Sequence, residues 1–266
     1  MKFGVCTDPK MAGALAAAGF DFIELHVQNH LKTLDSEEAF VPELARLRTS
    51  ALPCLAANCF LPGHLKVTGP EVNMDALAAY VDLACGRARR AGIETIVFGS
   101  GGARRIPDGF DRETAWKQLV EFGQMLGPVA QKHGVLIVVE PLNLRECNVL
   151  NAVGESAEYV RQVNHPYVRL LVDAYHWALD HDSYDDLVAS LPLIRHAHIS
   201  TYASRMAPGM EDCDFSTFFQ ALKKGGYDGP LSIESRWSDA NDPQAMEKEG
   251  TRALQVLQAA ARAAGY

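Results

Sequence analysis

Long hydrophobic runs are missing from this 266-residue chain, and nothing in it approaches the length of a membrane-spanning helix. Paired cysteines are missing too: Cys6, Cys54, Cys59, Cys85, Cys147 and Cys213 stand singly, with no C-x-x-C among them. That spacing excludes a dense disulfide framework and reads as reduced thiols of a cytoplasmic protein. Positive charge is scarce, with 25 Lys and Arg against 33 Asp and Glu and a formal net charge of -8. An acidic surface repels phosphate backbones, so neither nucleic acid nor an anionic membrane is expected as partner. The alanine-rich start contains no continuous apolar segment, because Thr7, Asp8, Pro9 and Lys10 interrupt it, and so it does not read as a signal peptide. No glycine-rich turn follows the first apolar run, where CTDPK stands, which argues against a nucleotide-binding doubly wound sheet. Linkers, low-complexity tracts and shifts of composition are also absent, so residues 1–266 are expected to form one domain.

What is present is an alternation. Hydrophobic residues make up 48% of the chain and charged ones 22%, enough for a sizeable core. Short runs rich in β-branched residues are predicted as strands at 2–6, 22–25, 52–57, 94–99, 136–140, 169–173, 195–199 and 231–234. Segments with helical periodicity lie between them, at 9–18, 37–49, 73–91, 112–132, 154–163, 183–189, 215–225 and 243–263. Gly19, Gly92 and Gly134 follow helices as stop signals, and Asp111 and Ser216 stand near helix starts as caps. Eight βα units with near-continuously apolar strands predict a parallel sheet closed into a (β/α)8 TIM barrel, with a doubly wound open sheet as the alternative.

In such a barrel the C-terminal strand ends converge on one mouth. IVVE ends strand five in Glu140, and LLVD ends strand six in Asp173. Strand seven, RHAHI, carries His196 and His198, and strand eight ends in Glu234. A carboxylate closing an apolar run is costly unless something compensates it, and three carboxylates facing one another repel. A divalent cation among Glu140, Asp173, His198 and Glu234 resolves both problems. Taken alone, Asp173 reads equally well as the cap of the next helix, and a strand histidine as a hydrogen-bonded core residue; four such residues on four consecutive strands favour the cation. His196 and His198 point to the same side, and His198 is nearer the mouth, so it is the better ligand. His196 either supports the site from behind or fills a layer of the barrel interior. Glu24, at the end of strand two, either lines the mouth or pairs with a nearby base. Phe60 and Trp237 either face a bound molecule or are packing residues. The segment 97–110, VFGSGGARRIPDGF, either binds an anion through its glycines, Arg104 and Arg105, or is a surface loop with solvated arginines.

With these motifs in place, the chain resembles the sugar isomerase/epimerase superfamily with a xylose-isomerase-like TIM barrel, closest to the ketose 3-epimerases of the tagatose and psicose type. The resemblance runs over nearly the whole chain and is strongest over 137–237. It implies a metal set of Glu140, Asp173, His198 and Glu234, with Glu140 and Glu234 also serving as the acid/base pair. EPLNLRECNVLN (140–151) resembles the family's strand-five stretch, which makes Glu146 a contact to substrate hydroxyls. DAYH (173–176) matches its D-x-x-H element, which makes His176 a contact to substrate or to a metal-bound water. RMAPG (205–209) resembles the loop after strand seven, whose arginine, here Arg205, contacts substrate and holds a glutamate; the spacing from His198 is one residue longer than the family pattern.

The donor set, imidazole with carboxylates and dominated by oxygen, suits one divalent ion, Mn²⁺ or Mg²⁺ first and Co²⁺ or Zn²⁺ next, and the resemblance implies a small-molecule sugar substrate. The implied chemistry is proton abstraction beside a carbonyl through an enediolate, giving epimerisation or isomerisation. A dehydratase acting on an inosose or keto-sugar and a hydroxypyruvate isomerase use the same intermediate. A metal-dependent apurinic-site endonuclease is disfavoured by the acidic balance and by the lack of further histidines at strand ends three and four, and a non-catalytic sugar-binding protein would not need paired glutamates. A homo-oligomer is expected.

Overall fold

The structure is a computed structural model of residues 1–266. Eight parallel strands close into a barrel in chain order: β1 (Lys2–Cys6), β2 (Phe22–His26), β3 (Cys54–Asn58), β4 (Thr95–Phe98), β5 (Leu136–Val139), β6 (Val168–Asp173), β7 (Ile194–Ile199) and β8 (Pro230–Ile233). The open-sheet alternative is thereby excluded. The principal covering helices span Ala12–Ala18, Glu37–Arg48, Met74–Ala91, Arg112–His133, Val153–Val163, Tyr184–Ser190, Ser216–Lys224 and Pro243–Ala263. None is long and apolar enough to cross a membrane.

Local chemistry accounts for most of the boundaries. Gly19, Gly92 and Gly134 close their helices in left-handed conformation, with φ of 97°, 83° and 66°. Asp111 caps the next helix by accepting the Thr114 N–H at 2.8 Å. Ser216 does not cap: Asp214 accepts the Ser216 N–H instead, so the acid two residues upstream performs that task. Three short helices were not foreseen, Val27–His30, Gly101–Arg104 and Ala174–Leu179. Each is a turn or two long, too short to show a 3.6-residue hydrophobic period. Each follows a strand at the C-terminal end, where it shapes the mouth.

Two apolar layers divide the core. The larger lies between barrel and helices, and a small separate cluster of Val97, Val138 and Leu171 fills the barrel interior. Because strand side chains alternate, the residues two positions onward from that inner layer also point inward, one layer nearer the mouth. They are Gly99, Glu140 and Asp173. The same parity carries Phe22 to Glu24, Ala56 to Asn58, His196 to His198 and Ser232 to Glu234. Register aligns Asp173 of β6 with His198 of β7. Glu140 and Glu234 each sit one residue past their strand, where the backbone is free to open toward the cavity.

Candidate active site

The mouth holds a cavity of about 350 Å³, within the range of small-molecule sites. Its wall includes His26, Gln28, Asn58, Cys59, Glu140, Glu146, His176, Arg205 and Glu234. At its floor, one ligand atom from each of Glu140, Asp173, His198 and Glu234 lies within 4.8 Å of the others. His198 Nδ1 is 3.3 Å from Glu140 Oε1 and 3.6 Å from Glu234 Oε2. Glu140 Oε1, Asp173 Oδ2 and His198 Nδ1 are buried without a hydrogen-bond partner. Buried polar atoms are seldom left unpaired, and three of them aimed at one point form a cradle for a cation. The donor set, three carboxylates and one imidazole, suits a hard or borderline divalent ion. Asp173 serves both of its expected roles: Oδ1 accepts the Tyr175 N–H at 2.9 Å as a helix cap, leaving Oδ2 for the cradle.

The residues flanking the cradle meet there as well. Arg205 hydrogen-bonds Glu234 Oε2 and lies 3.3 Å from Glu146 Oε1 and 3.6 Å from Asp173 Oδ2. Its backbone takes a left-handed φ of 55° in the turn whose N–H returns to the Thr201 carbonyl. His176 Nδ1 accepts from the Asn143 side chain at 2.7 Å, which leaves its proton on Nε2, 3.6 Å from Asp173 Oδ2.

Other residues contribute from β2 to β4. Asn58 donates to Glu234 Oε1 at 2.8 Å, so both oxygens of that glutamate are held. Gly99 lies against Glu140: a Cβ added there would fall 2.3 Å from Oε2, so only glycine leaves room for the carboxylate. Glu24 is fully buried and accepts from His196 Nε2 at 2.8 Å, His198 Nε2 at 3.0 Å and Ser232 Oγ at 2.7 Å. It therefore does not line the cavity; it is the buried acid paired with bases. His196 takes the supporting position behind His198. Extending β3 by one residue to Asn58, and applying the inward parity to all eight strand ends, would have found both Asn58 and Gly99.

One expectation is corrected and one choice is settled. Arg104 neither waits for an anion nor stands in solvent, whereas Arg105 is exposed as the surface-loop alternative has it. Arg104 is fully buried, its guanidinium donating to the carbonyls of Phe98 at 3.0 Å, Glu140 at 2.7 Å and Leu150 at 3.3 Å. Arg105 donates to the Glu146 carbonyl at 3.0 Å. The 97–110 segment is thus a clamp between the β4 and β5 loops. Phe60 is buried against Phe98 and Tyr80, and Trp237 packs on the core rather than on the cavity wall, so both are packing residues.

Electrostatics separates the two glutamates. Burial raises the Glu140 carboxyl, a tendency that His198 opposes and Glu234 reinforces. Burial also pushes Glu234 upward, but His198 and Arg205 outweigh it and bring it down to about 2. Burial disfavours charge on His198, yet Glu24 and Glu234 override this and hold its pKa well above the ordinary histidine value. The Cys59 thiol on the cavity wall is pushed up to about 12, first by burial and then by Glu234 and Glu140, and so stays protonated.

The family model described as "Xylose isomerase-like TIM barrel" matches residues 12–257. The chain belongs to that family. A ketose 3-epimerase of Arthrobacter globiformis is 33% identical over 103 residues, 38% of this chain and 35% of that protein. The 3-dehydro-D-guloside 4-epimerase of Escherichia coli is 28% identical over 121 residues, 45% of each. The aligned stretches thus span less than half the length of either relative. The crystal structure of D-psicose 3-epimerase with D-tagatose from Clostridium cellulolyticum H10 superposes with a TM-score of 0.83 at 20% identity, covering 98% of this chain and 99% of that one.

Proposed function

We propose that this chain is a divalent-cation-dependent sugar epimerase or isomerase whose substrate is a small ketose or sugar derivative. The observation that carries the reading is the convergence of Glu140, Asp173, His198 and Glu234 on one point, with three of their atoms buried and unpartnered, which brings the carboxylates of Glu140 and Glu234 to the same cradle. Two carboxylates held at one reacting centre are what acid/base exchange requires. Glu140, Asp173, His198 and Glu234 would hold the cation. An oxygen-dominated set favours Mn²⁺ or Mg²⁺, ahead of Co²⁺ or Zn²⁺. The ion supplies Lewis-acid polarisation of a carbonyl.

The chain's own groups supply the rest. One glutamate removes the proton from the carbon beside the carbonyl. The other returns a proton from the opposite face, which inverts that centre, and the roles exchange in the reverse reaction. Arg205, bonded to Glu234, keeps that carboxylate ionised and aimed. His176, with its proton fixed on Nε2, donates to a substrate oxygen, and Glu146 accepts from a hydroxyl. The sequence relatives support sugar chemistry, with positions 3 and 4 both represented among them.

The test is incubation of cation-loaded protein with free and phosphorylated keto- and aldo-sugars in deuterated water. Deuterium at one carbon with inverted configuration is expected. Loss of water from the product would replace the epimerase reading with a dehydratase, and absence of exchange on every sugar would overturn it.

A further inference from the structure

Glu24 is the most deeply buried acid behind the cavity, and the chemistry proposed above does not use it. It accepts three hydrogen bonds at once, from His196 Nε2, His198 Nε2 and Ser232 Oγ. A carboxylate that only accepts fixes the donors around it: each imidazole must present its proton on Nε2. For His198 the other nitrogen is then Nδ1, the orphaned buried atom facing Glu140 and Glu234. For His196, Nδ1 is likewise unpartnered, and His196 is not among the four residues of the cradle. The two rings lie nearly perpendicular, with centroids 5.2 Å apart, so one carboxylate reaches both without either turning.

We propose that Glu24 is a positioning residue for the cation site: its carboxylate takes the Nε2 protons of His196 and His198 together and thereby turns the Nδ1 lone pair of His198 into the cradle of Glu140, Asp173 and Glu234. The inference rests on the cation-dependent reading above and adds a residue from the opposite half of the barrel. Metal-bound imidazoles are commonly oriented by an acceptor on their other nitrogen, and loss of that acceptor weakens metal binding by about 10–100-fold. A rival role is excluded by the same atoms. Cys6, Glu24 and His198 also converge within 4.8 Å, but a second cation there would have to displace the proton that His198 Nε2 gives to Glu24.

Glu24→Gln is the informative substitution. The amide keeps the shape but offers one acceptor and one donor to two N–H groups, so one histidine loses its partner. Two measurements read the outcome. The first is direct titration of Mn²⁺ into metal-free wild-type and Glu24→Gln protein. One cation per chain is expected in both, with affinity lower by about 10–100-fold in the variant. The second is the ¹⁵N spectrum of histidine-labelled, Zn²⁺-loaded wild-type protein, which needs no variant. It should show His198 coordinated through Nδ1 and protonated on a slowly exchanging Nε2. Equal affinity in wild type and variant, or coordination of His198 through Nε2, would overturn the role of Glu24 while leaving the cation site standing. Two cations per chain would overturn it in favour of the Cys6 cluster. A wild-type protein that binds no cation would overturn the cation-dependent reading itself and the Glu24 role with it.

Discussion

The two halves of the barrel contribute differently to the mouth. Strands β5 to β8 deliver the four candidate ligands, and three of these present buried, unpartnered atoms to one point. Strands β2 to β4 deliver no candidate ligand. They supply Glu24 against His198, Asn58 against Glu234 and Gly99 against Glu140. One half offers unsatisfied groups and the other satisfies or makes room for them. A site of this kind is held in shape by neighbours outside its ligand set, which is how rigid elements keep reacting groups within a fraction of an ångström of a productive geometry.

The sharpest way to test this division is to disable one residue of each kind. Glu140→Gln and Glu234→Gln remove the acid/base function itself, and turnover should fall by about 10²–10⁴-fold with the fold retained, measured by steady-state kinetics beside thermal unfolding. Gly99→Ala acts from the supporting half. Its methyl would drive Glu140 off position, and a misplacement of about 1 Å can cost about 10²-fold in turnover. Should Gly99→Ala prove harmless, the two halves would not be coupled as described. Asn58→Ala leaves Arg205 on Glu234 but frees Oε1. A hydrogen bond to a charged group is worth about 1.5–3 kcal/mol, so kcat/KM should fall by about 10–100-fold, with cation affinity less affected than in the Glu24 variant.

The smallest effect belongs to a carboxylate outside the mouth. Glu43 bonds His30 at 2.8 Å and Arg46 at 2.7 Å on the barrel's outer side. Burial raises its carboxyl, but Arg46 and His30 outweigh this and hold it below the usual value. A depressed acid contributes stability that is present above the unfolded value, about 4.3, and is lost as pH falls through the folded value. Glu43→Gln should therefore flatten the fall of Tm with pH below about 4.3 and leave activity unchanged; an activity loss would show that the outer ion pairs also support the site.

The contrast between halves also explains what could be read from the residues. Glu140, Asp173 and Glu234 each close an apolar strand with a charge, a local anomaly that the chain displays without any tertiary knowledge. The (β/α)8 order followed from apolar runs and glycine stops in the same way. Glu24 ends a similar strand, yet whether it faced the cavity or a buried base depended on His196 and His198, about 170 residues onward in the chain. Asn58 and Gly99 carry no charge, and their importance lies only in distances to Glu234 and Glu140. Arg104 sits in a glycine-rich segment that looks like an anion loop. One carbonyl at the end of β4 and two on the loop after β5 decide that it is a buried clamp, and no pattern of residue types announces carbonyl positions.

The central claim is that Glu140, Asp173, His198 and Glu234 form one cradle for one divalent cation. Counting Mn²⁺ bound to protein purified without chelator, by electron paramagnetic resonance of the free ion during titration, measures this directly. The account predicts one tightly held ion per chain, lost in Asp173→Asn at the same protein concentration. Full occupancy retained in Asp173→Asn, or no binding by the wild-type chain, would contradict it.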